Sequence, residues 1–378
     1  MPASGGAVDL ETCARELARR QPAPVARQKP LDLKRALLDH ERSLRRAFAA
    51  ARLAVSEQRR IEPAAEWLLD NFYLVRTQLR ELASNPSLRE LHKLPRTTDN
   101  DENVPRMLGI ARACVTHLDG RIEPEHARRF LAAYQDETTL RMAELWSWPI
   151  LLRVALIERV AAGARVIATR LEEYARAEYW AGYLIEMAGK DAPGMLMYVA
   201  DMARLVPAVT PAWAAEFYRL LEGRHPSLAL ALTWAEQQLH HRGLSVAEVI
   251  DEESRAQASD QVSIANCINS LRLVARQNWS DVIEAVSAVD RILASDPTGT
   301  YPQMDFTTRA LYRHAVEVLA LRAGISEGEI ARRAVEAAYA ATSPTGDPRV
   351  RHVGYHLIGK GRAAFGKQLK VTPPPEAR

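Results

Sequence analysis

Asp99-Asn100-Asp101 has the D-x-D spacing with which two carboxylates hold one hard cation, as metal-dependent transfer from nucleotide sugars requires. That chemistry needs acids on a loop at the end of a strand. Here the neighbours are loop formers, so the motif is read as a solvated turn. His352 and His356 are four apart and would share one helix face if 347–368 is helical, a spacing that can hold zinc. The glutamate of H-E-x-x-H is missing and no third ligand suggests itself, so they are read as core or interface histidines. His240-His241 precedes Gly243 at a helix end, where the helix dipole favours cations. Asp119 and Asp305 each sit at a turn beside large apolar residues and are read as turn or N-cap acids. Trp67, Phe72 and Tyr73 lie close together, as do Trp146 and Trp148. Aromatic faces can stack on sugar rings, although aromatics at helical spacing are ordinarily core. Arg309, Arg313 and His314 form a cationic stripe near Tyr301 and Tyr312, read as a solvated or salt-bridged face. No G-x-S-x-G elbow, Walker loop or G-x-G-x-x-G occurs, so acyl transfer, nucleotide hydrolysis and dinucleotide binding have no motif behind them.

The elements that must position these residues are helices. Leu37, Leu44, Phe48, Ala51 and Val55 fall on one face; so do Leu68, Phe72, Val75, Leu79 and Leu82. Ile264, Ile268, Leu271 and Ala275 form another stripe, and Val282, Val286, Val289 and Leu293 a fourth. Such stripes bury one side of a helix and leave the other charged. Period-2 runs of β-branched residues are missing, so strands are not expected. Pro63, Pro124, Pro211 and Pro226 mark first turns, where a missing N–H costs nothing. Ser326 with Glu329 reads as a capping box. Gly120, Gly223, Gly243 and Gly324 read as helix stops, and Pro149 as a kink inside an apolar helix. The segmentation predicts an all-α fold of roughly fourteen helices, a multi-helix array or irregular bundle of solenoid-like or toroid-like form. Residues 92–105 read as a long exposed loop.

The expected division is an N-terminal helix and Pro-rich linker over 1–30, helical subdomains over 31–162 and 163–370, and an unstructured tail over 371–378. The internal boundary is placed near Ala161–Arg165.

The chain has 378 residues, with 50 Lys and Arg against 47 Asp and Glu, a net charge of +3. Near neutrality at this length argues against a broad cationic face for nucleic acid. Apolar residues at 47% and charged ones at 26% describe a globular chain and exclude wholesale disorder. Cys13, Cys114 and Cys267 are odd in number and far apart, which argues against a disulfide framework and for a reduced cytosolic setting. No signal peptide is visible, and no apolar run approaches the about 20 residues of a membrane helix. No metal or cofactor is expected.

A set of phrases in fixed order carries a resemblance. They are AEWLLDNFYLV (65–75), HLDGRI (117–122), ELWSWPI (144–150) with Arg153 and Ile157-Glu158, QVSIAN (261–266) with SLR (270–272), and Asn278-Trp279. DPTGTY (296–301), MDFTTR (304–309), YRHAVE (312–317), Asp347-Pro348 and HVGY (352–355) follow. In this order they resemble the helical N-terminal region of the bacterial cyclic β-1,2-glucan synthases, from about Glu62 to about Phe365. The resemblance implies a very large inner-membrane system. Besides the helical region, it would comprise a membrane glycosyltransferase using UDP-glucose, a cyclising domain and a phosphorylase-like domain, with glucan grown on a protein tyrosine. The Q-x-x-R-W motif and the nucleotide-sugar domain of the transferase have no counterpart in this sequence. The expected role is therefore a non-catalytic module, separated or stand-alone, that docks on the cytosolic side of the membrane transferase and positions it or its growing β-1,2-glucan. That places the chain in the cytoplasm or peripherally at the inner membrane. The expected contact residues are Trp67, Asp70, Asn71, Phe72 and Tyr73, with Asp305, Phe306, Arg309, Tyr312 and Arg313. Tyr301, on a Gly-containing turn expected to expose it, is the candidate glucan-carrying hydroxyl. An α/α-toroid enzyme acting on β-glucan and an interaction scaffold unrelated to sugar are the alternatives.

Overall fold

In the computed structural model the apolar stripes become helices. The structure describes residues 9–21, 30–99, 102–206, 208–341 and 348–369. Among them are α1 (Leu10–Arg20), α2 (Leu33–Ser56), α3 (Pro63–Ser84), α4 (Ser87–Glu90), α5 (Arg106–His117), α6 (Pro124–Gln135) and α7 (Met142–Lys190). There follow α8 (Met195–Leu205), α9 (Pro211–Leu221), α10 (Ala229–His240), α11 (Val246–Arg276), α12 (Ser280–Val286) and α13 (Ala288–Leu293). The chain closes with α14 (Phe306–Ala323), α15 (Glu327–Ala340), α16 (Val353–Leu357) and α17 (Arg362–Gln368). The all-α reading holds. The seventeen helices exceed the expected number because short pieces such as α4, α12, α13, α16 and α17 are separate rods. The linker prolines at 22 and 24 and the tail from 371 lie outside the described residues.

The organising element is α7, 49 residues long and therefore about 70 Å from end to end. It packs against α2, α3, α5, α9 and α11. The helix runs on through Pro149 and through 161–165, where the sequence reading set its internal boundary. Gly163 in that stretch serves close approach: a Cβ there would come within 2.9 Å of Ile264 Cδ1 on α11. Two apolar cores are present. The larger takes in α1 to α3, α5, α6, α7 up to Tyr174, α11 from Ile264, and α12 to α17. The smaller is made by Ala177–Ala188 of α7, α8, α9, α10 and Val249 of α11. Its centre is Trp213, stacked on Phe217 at 4.3 Å. Among the described residues, only α7 and α11 contribute buried residues to both cores.

The strand expectation is corrected. Arg96–Asp99 (β1) and Glu102–Pro105 (β2) pair antiparallel, with Thr97 opposite Val104. Both of those side chains are buried. The run is polar because one face of a short ribbon is all that packs, which leaves too few residues for alternation to show. Arg96 Nε donates to Asn103 Oδ1 at 2.5 Å across the ribbon. The segment read as an exposed loop is thus a pinned hairpin.

The punctuation was legible. Pro63, Pro124 and Pro211 open α3, α6 and α9. Gly120, Gly223, Gly243 and Gly324 all take positive φ. Gly120 is additionally fixed by packing, because a Cβ there would collide with Cys267 Sγ.

Candidate functional site

A groove of about 1050 Å³ lies where the start of α7 meets α4, the end of α14 and the start of α15. Local capping builds it. Gly324 ends α14 in the left-handed region, and Ser326 Oγ accepts from Glu329 N at 3.2 Å to start α15. Glu327, in the first turn of α15, reaches across and accepts the free Met142 N–H of α7 at 2.7 Å. Glu144 accepts Arg141 N at 3.0 Å. It also grips Arg106 through two bonds of 2.9 and 2.6 Å. Two glutamates therefore satisfy orphan donors at the α7 N-terminus, where negative charge is stabilised. Burial, helped by the neighbouring Glu317 carboxylate, raises the pKa of Glu327 against its hydrogen bond from Met142. Lys93, Arg141, Trp146, Glu317 and Leu321 also line the groove. Charges of both signs beside an indole face suit a polar, hydroxyl-rich ligand or a partner's polar segment.

Trp146 links this groove to the α14 candidates. Its ring meets Phe306 edge-on at 5.6 Å. The Arg313 guanidinium lies 5.7 Å from the Trp146 centroid and 4.9 Å from that of Phe306. Behind this stack the polar groups are committed. Arg313 Nη1 donates to Glu284 Oε1 at 2.6 Å and Asp290 Oδ1 at 2.9 Å. Arg309 Nη2 donates to Glu284 Oε2 at 2.6 Å. Asp305 is the N-cap of α14, accepting from Thr308 N at 2.9 Å and Thr308 Oγ1 at 2.7 Å. Those bonds hold its carboxyl below the usual range.

Two expectations are corrected here. Tyr301 is 1% exposed, not displayed by its turn. Its hydroxyl donates to Asp290 Oδ1 at 2.7 Å, and burial followed by the Asp290 charge pushes its pKa up. A sugar could reach that oxygen only by unpacking the α12–α14 corner. Arg313 at 3% and Tyr312 at 5% exposure are likewise withdrawn from any contact surface. The stripe read as solvated or salt-bridged is salt-bridged through Arg309 and Arg313, which join a largely buried ion-pair cluster, while His314 is exposed.

The α3 candidates lie elsewhere. Asp70 and Tyr73 are exposed, Tyr73 by 81%. Trp67, Asn71 and Phe72 are half-buried. Phe72 stacks on Phe48 of α2 at 4.1 Å, and Arg272 of α11 reaches Asn71 Oδ1 at 3.5 Å. No hydrogen bond or ring contact joins this set to the α14 set among the described residues.

The remaining motifs resolve into structure. Asp99 pairs with Arg112 at 2.9 Å and Arg112 with Glu158 at 2.8 Å, which ties the hairpin to α5 and α7. Asp101 lies outside the described residues. His352 and His356 do not share a helix face: His352 caps α16, and His356 Nε2 lies 3.0 Å from Val350 O. Among the described residues, no group of three or more His, Cys, Asp or Glu could hold a metal ion. All three cysteines are free.

Sequence reasoning missed Arg141, Glu317 and Glu327 as groove residues. Glu327 was visible as a first-turn acid after Ser326, but nothing local says that it caps a different helix.

The phrases that carry the resemblance meet each other in space. HLDGRI is held by α11: Asn266 Nδ2 donates to Asp119 O at 3.2 Å, and Ile122 N to Ser270 Oγ at 2.9 Å. DPTGTY is held by HVGY, with Val353 N donating to Asp296 Oδ1 at 2.9 Å. No family model matches the chain. The chain is similar to the cyclic beta-(1,2)-glucan synthase NdvB of Rhizobium meliloti (strain 1021), at 30% identity over 375 residues. The match takes in 97% of this chain, more than the stretch that the phrases alone delimit. It spans 13% of the length of that protein. The chain is therefore related to this synthase family through one region of its member. Among the described residues, no helix is long and apolar enough to cross a membrane.

Proposed function

We propose that the chain is a non-catalytic helical module of a cyclic β-1,2-glucan synthase system, which docks on the membrane glycosyltransferase part and positions it or its growing glucan. The observation that carries this is the match to a region of NdvB along nearly the whole chain. The internal economy of the polar groups supports it. Asp305, Glu327, Glu284 and Asp290 are engaged in caps and ion pairs rather than held free for proton transfer. The exposed α3 face around Asp70 and Tyr73 and the Trp146 groove are the two surfaces offered for docking. The work would be done on the cytosolic side of the inner membrane.

Co-purification tests the reading. The tagged chain is expected to retain the detergent-solubilised transferase part, and Tyr73→Ala together with Asp70→Ala to weaken retention without lowering the melting temperature. Absence of any retention contradicts it. A second reading, an enzyme acting on β-glucan, draws on Glu317 and Glu327 lining one groove. Reducing-end release from β-1,2-glucan by the chain alone would establish that reading and displace the first.

A further inference from the structure

A second concavity lies far along α7, between its Tyr179–Tyr183 turn and the C-terminal half of α8. It measures about 460 Å³ and is lined by Tyr179, Trp180, Tyr183, Asp201, Arg204 and Leu205. The aromatic rings form a chain. Tyr179 meets Trp180 edge-on at 5.3 Å, Trp180 meets Tyr183 at 5.9 Å, and Tyr183 meets Tyr198 at 5.8 Å. Edge-to-face contact fixes ring orientation, and Trp180 and Tyr183 are half-buried against the smaller core. Tyr179 is 68% exposed and Leu205 69%. Only Tyr198 in the chain has its hydroxyl engaged, to Asp191 Oδ2 at 3.0 Å. The Tyr179 and Tyr183 hydroxyls and the Trp180 indole N–H make no hydrogen bond to the protein among the described residues. At the rim Asp201 and Arg204 pair with each other, and Glu186 with Lys190 nearby.

This combination selects its ligand. Oriented aromatic faces at the surface want an apolar face to cover them, while the unpaired hydroxyls and indole N–H want polar partners at the edges. The rim charges cancel in pairs, so nothing in the lining favours an ionic ligand or an anionic lipid surface. A β-linked glucosyl chain meets both demands, with flat C–H faces on each ring and a girdle of hydroxyls around it. We infer that this α7/α8 pocket binds a short stretch of neutral β-1,2-glucan, the rings lying on Tyr179 and Tyr183 and the hydroxyls meeting Asp201 and Arg204. The inference deepens the module reading above, on which it rests for the identity of the glucan, by naming where the chain would touch the product.

The test is calorimetric titration of the full chain with linear β-1,2-gluco-oligosaccharides. Saturable binding is expected, stronger than to α-1,4-gluco-oligosaccharides of equal length. Tyr179→Ala and Tyr183→Ala should each weaken it at least about tenfold, while Tyr339→Ala, which removes an exposed tyrosine elsewhere, leaves it unchanged. Unaltered far-UV dichroism and melting would show that the variants are folded. No saturable binding, equal binding of both glucans, or binding indifferent to Tyr179 and Tyr183 would overturn the inference. So would Tyr179-dependent sedimentation with anionic vesicles in the absence of oligosaccharide binding. Capture of the transferase part is a separate readout. If capture succeeds while titration fails, the pocket assignment alone falls; if titration succeeds while capture fails, the docking role falls.

Discussion

Two buried arginines hold this molecule at two places, and they are balanced differently. Arg313 sits at the α12–α14 corner in a cluster of two arginines and two carboxylates, Glu284 and Asp290, with the Tyr301 hydroxyl as a further donor. Arg170 sits on α7 near the line between the two apolar cores. It meets three carboxylates: Glu62 at the start of α3, and Glu253 at 2.6 Å and Asp260 at 3.1 Å on α11. Tyr174 and Gln257 complete that network. Beyond it, Thr210 donates to Glu173 at 3.0 Å, and Arg60 meets the buried Glu216 of α9 at 3.2 Å. The first cluster is electrically closed. The second has one cation for three anions, so burial, reinforced by Asp260 and Glu253, raises the Glu62 pKa to about 7 against the pull of Arg170. The contrast puts the unbalanced negative charge at the join between the cores, where the Glu62 carboxyl is the group that answers to pH.

Removing each cation should separate the two regions most sharply. Arg170→Met leaves three carboxylates in low dielectric and is expected to cost about 3–5 kcal/mol at pH 7.5 by chemical denaturation. The loss should shrink at pH 5, where Glu62 carries its proton. Arg313→Met leaves Glu284 paired with Arg309 and Asp290 bonded to Tyr301, so a smaller loss of about 2–3 kcal/mol is expected. A loss in Arg313→Met as large as that in Arg170→Met would contradict the difference between the two regions.

Glu62→Gln sharpens it. The folded carboxyl keeps its proton up to about pH 7, while the unfolded one releases it near 4.5. The native state therefore binds more protons between those values, and stability must fall as pH rises through that window. Thermal melts from pH 4.5 to 8 should show that decline in the parent chain and a flatter profile in Glu62→Gln. At the balanced corner, Tyr301→Phe removes one hydrogen bond to Asp290 and is expected to cost about 1 kcal/mol. A larger loss would mean that the phenol does more than close the cluster.

How far the sequence foretells this depends on range. Pro63, Pro124, Pro211 and Gly324 act within one turn, so helix ends were readable from them. The Leu68-to-Leu82 stripe named its buried face correctly, except that Phe72 turns partly outward to stack on Phe48. Val55 and Ala275, at the ends of their stripes, prove exposed, because the buried face there runs through the adjacent Ala54 and Val274. The two cores were not readable, since α7 and α11 run through both and no turn residue marks the division. The site was legible only as residue types. Asp305 reads as a cap and is one, but the partners of Arg313, Tyr301 and Glu327 come from other elements, and spacing along one helix says nothing of them.

We propose that this chain serves glucan synthesis without carrying it out. The direct measurement is incorporation of glucose from UDP-glucose into β-1,2-glucan by membranes holding the transferase part, with this chain present, absent, or alone. The account predicts that the chain raises product formation in the presence of the transferase part and forms none alone. Glucan made by the chain alone, or a rate unchanged by its addition, would contradict it.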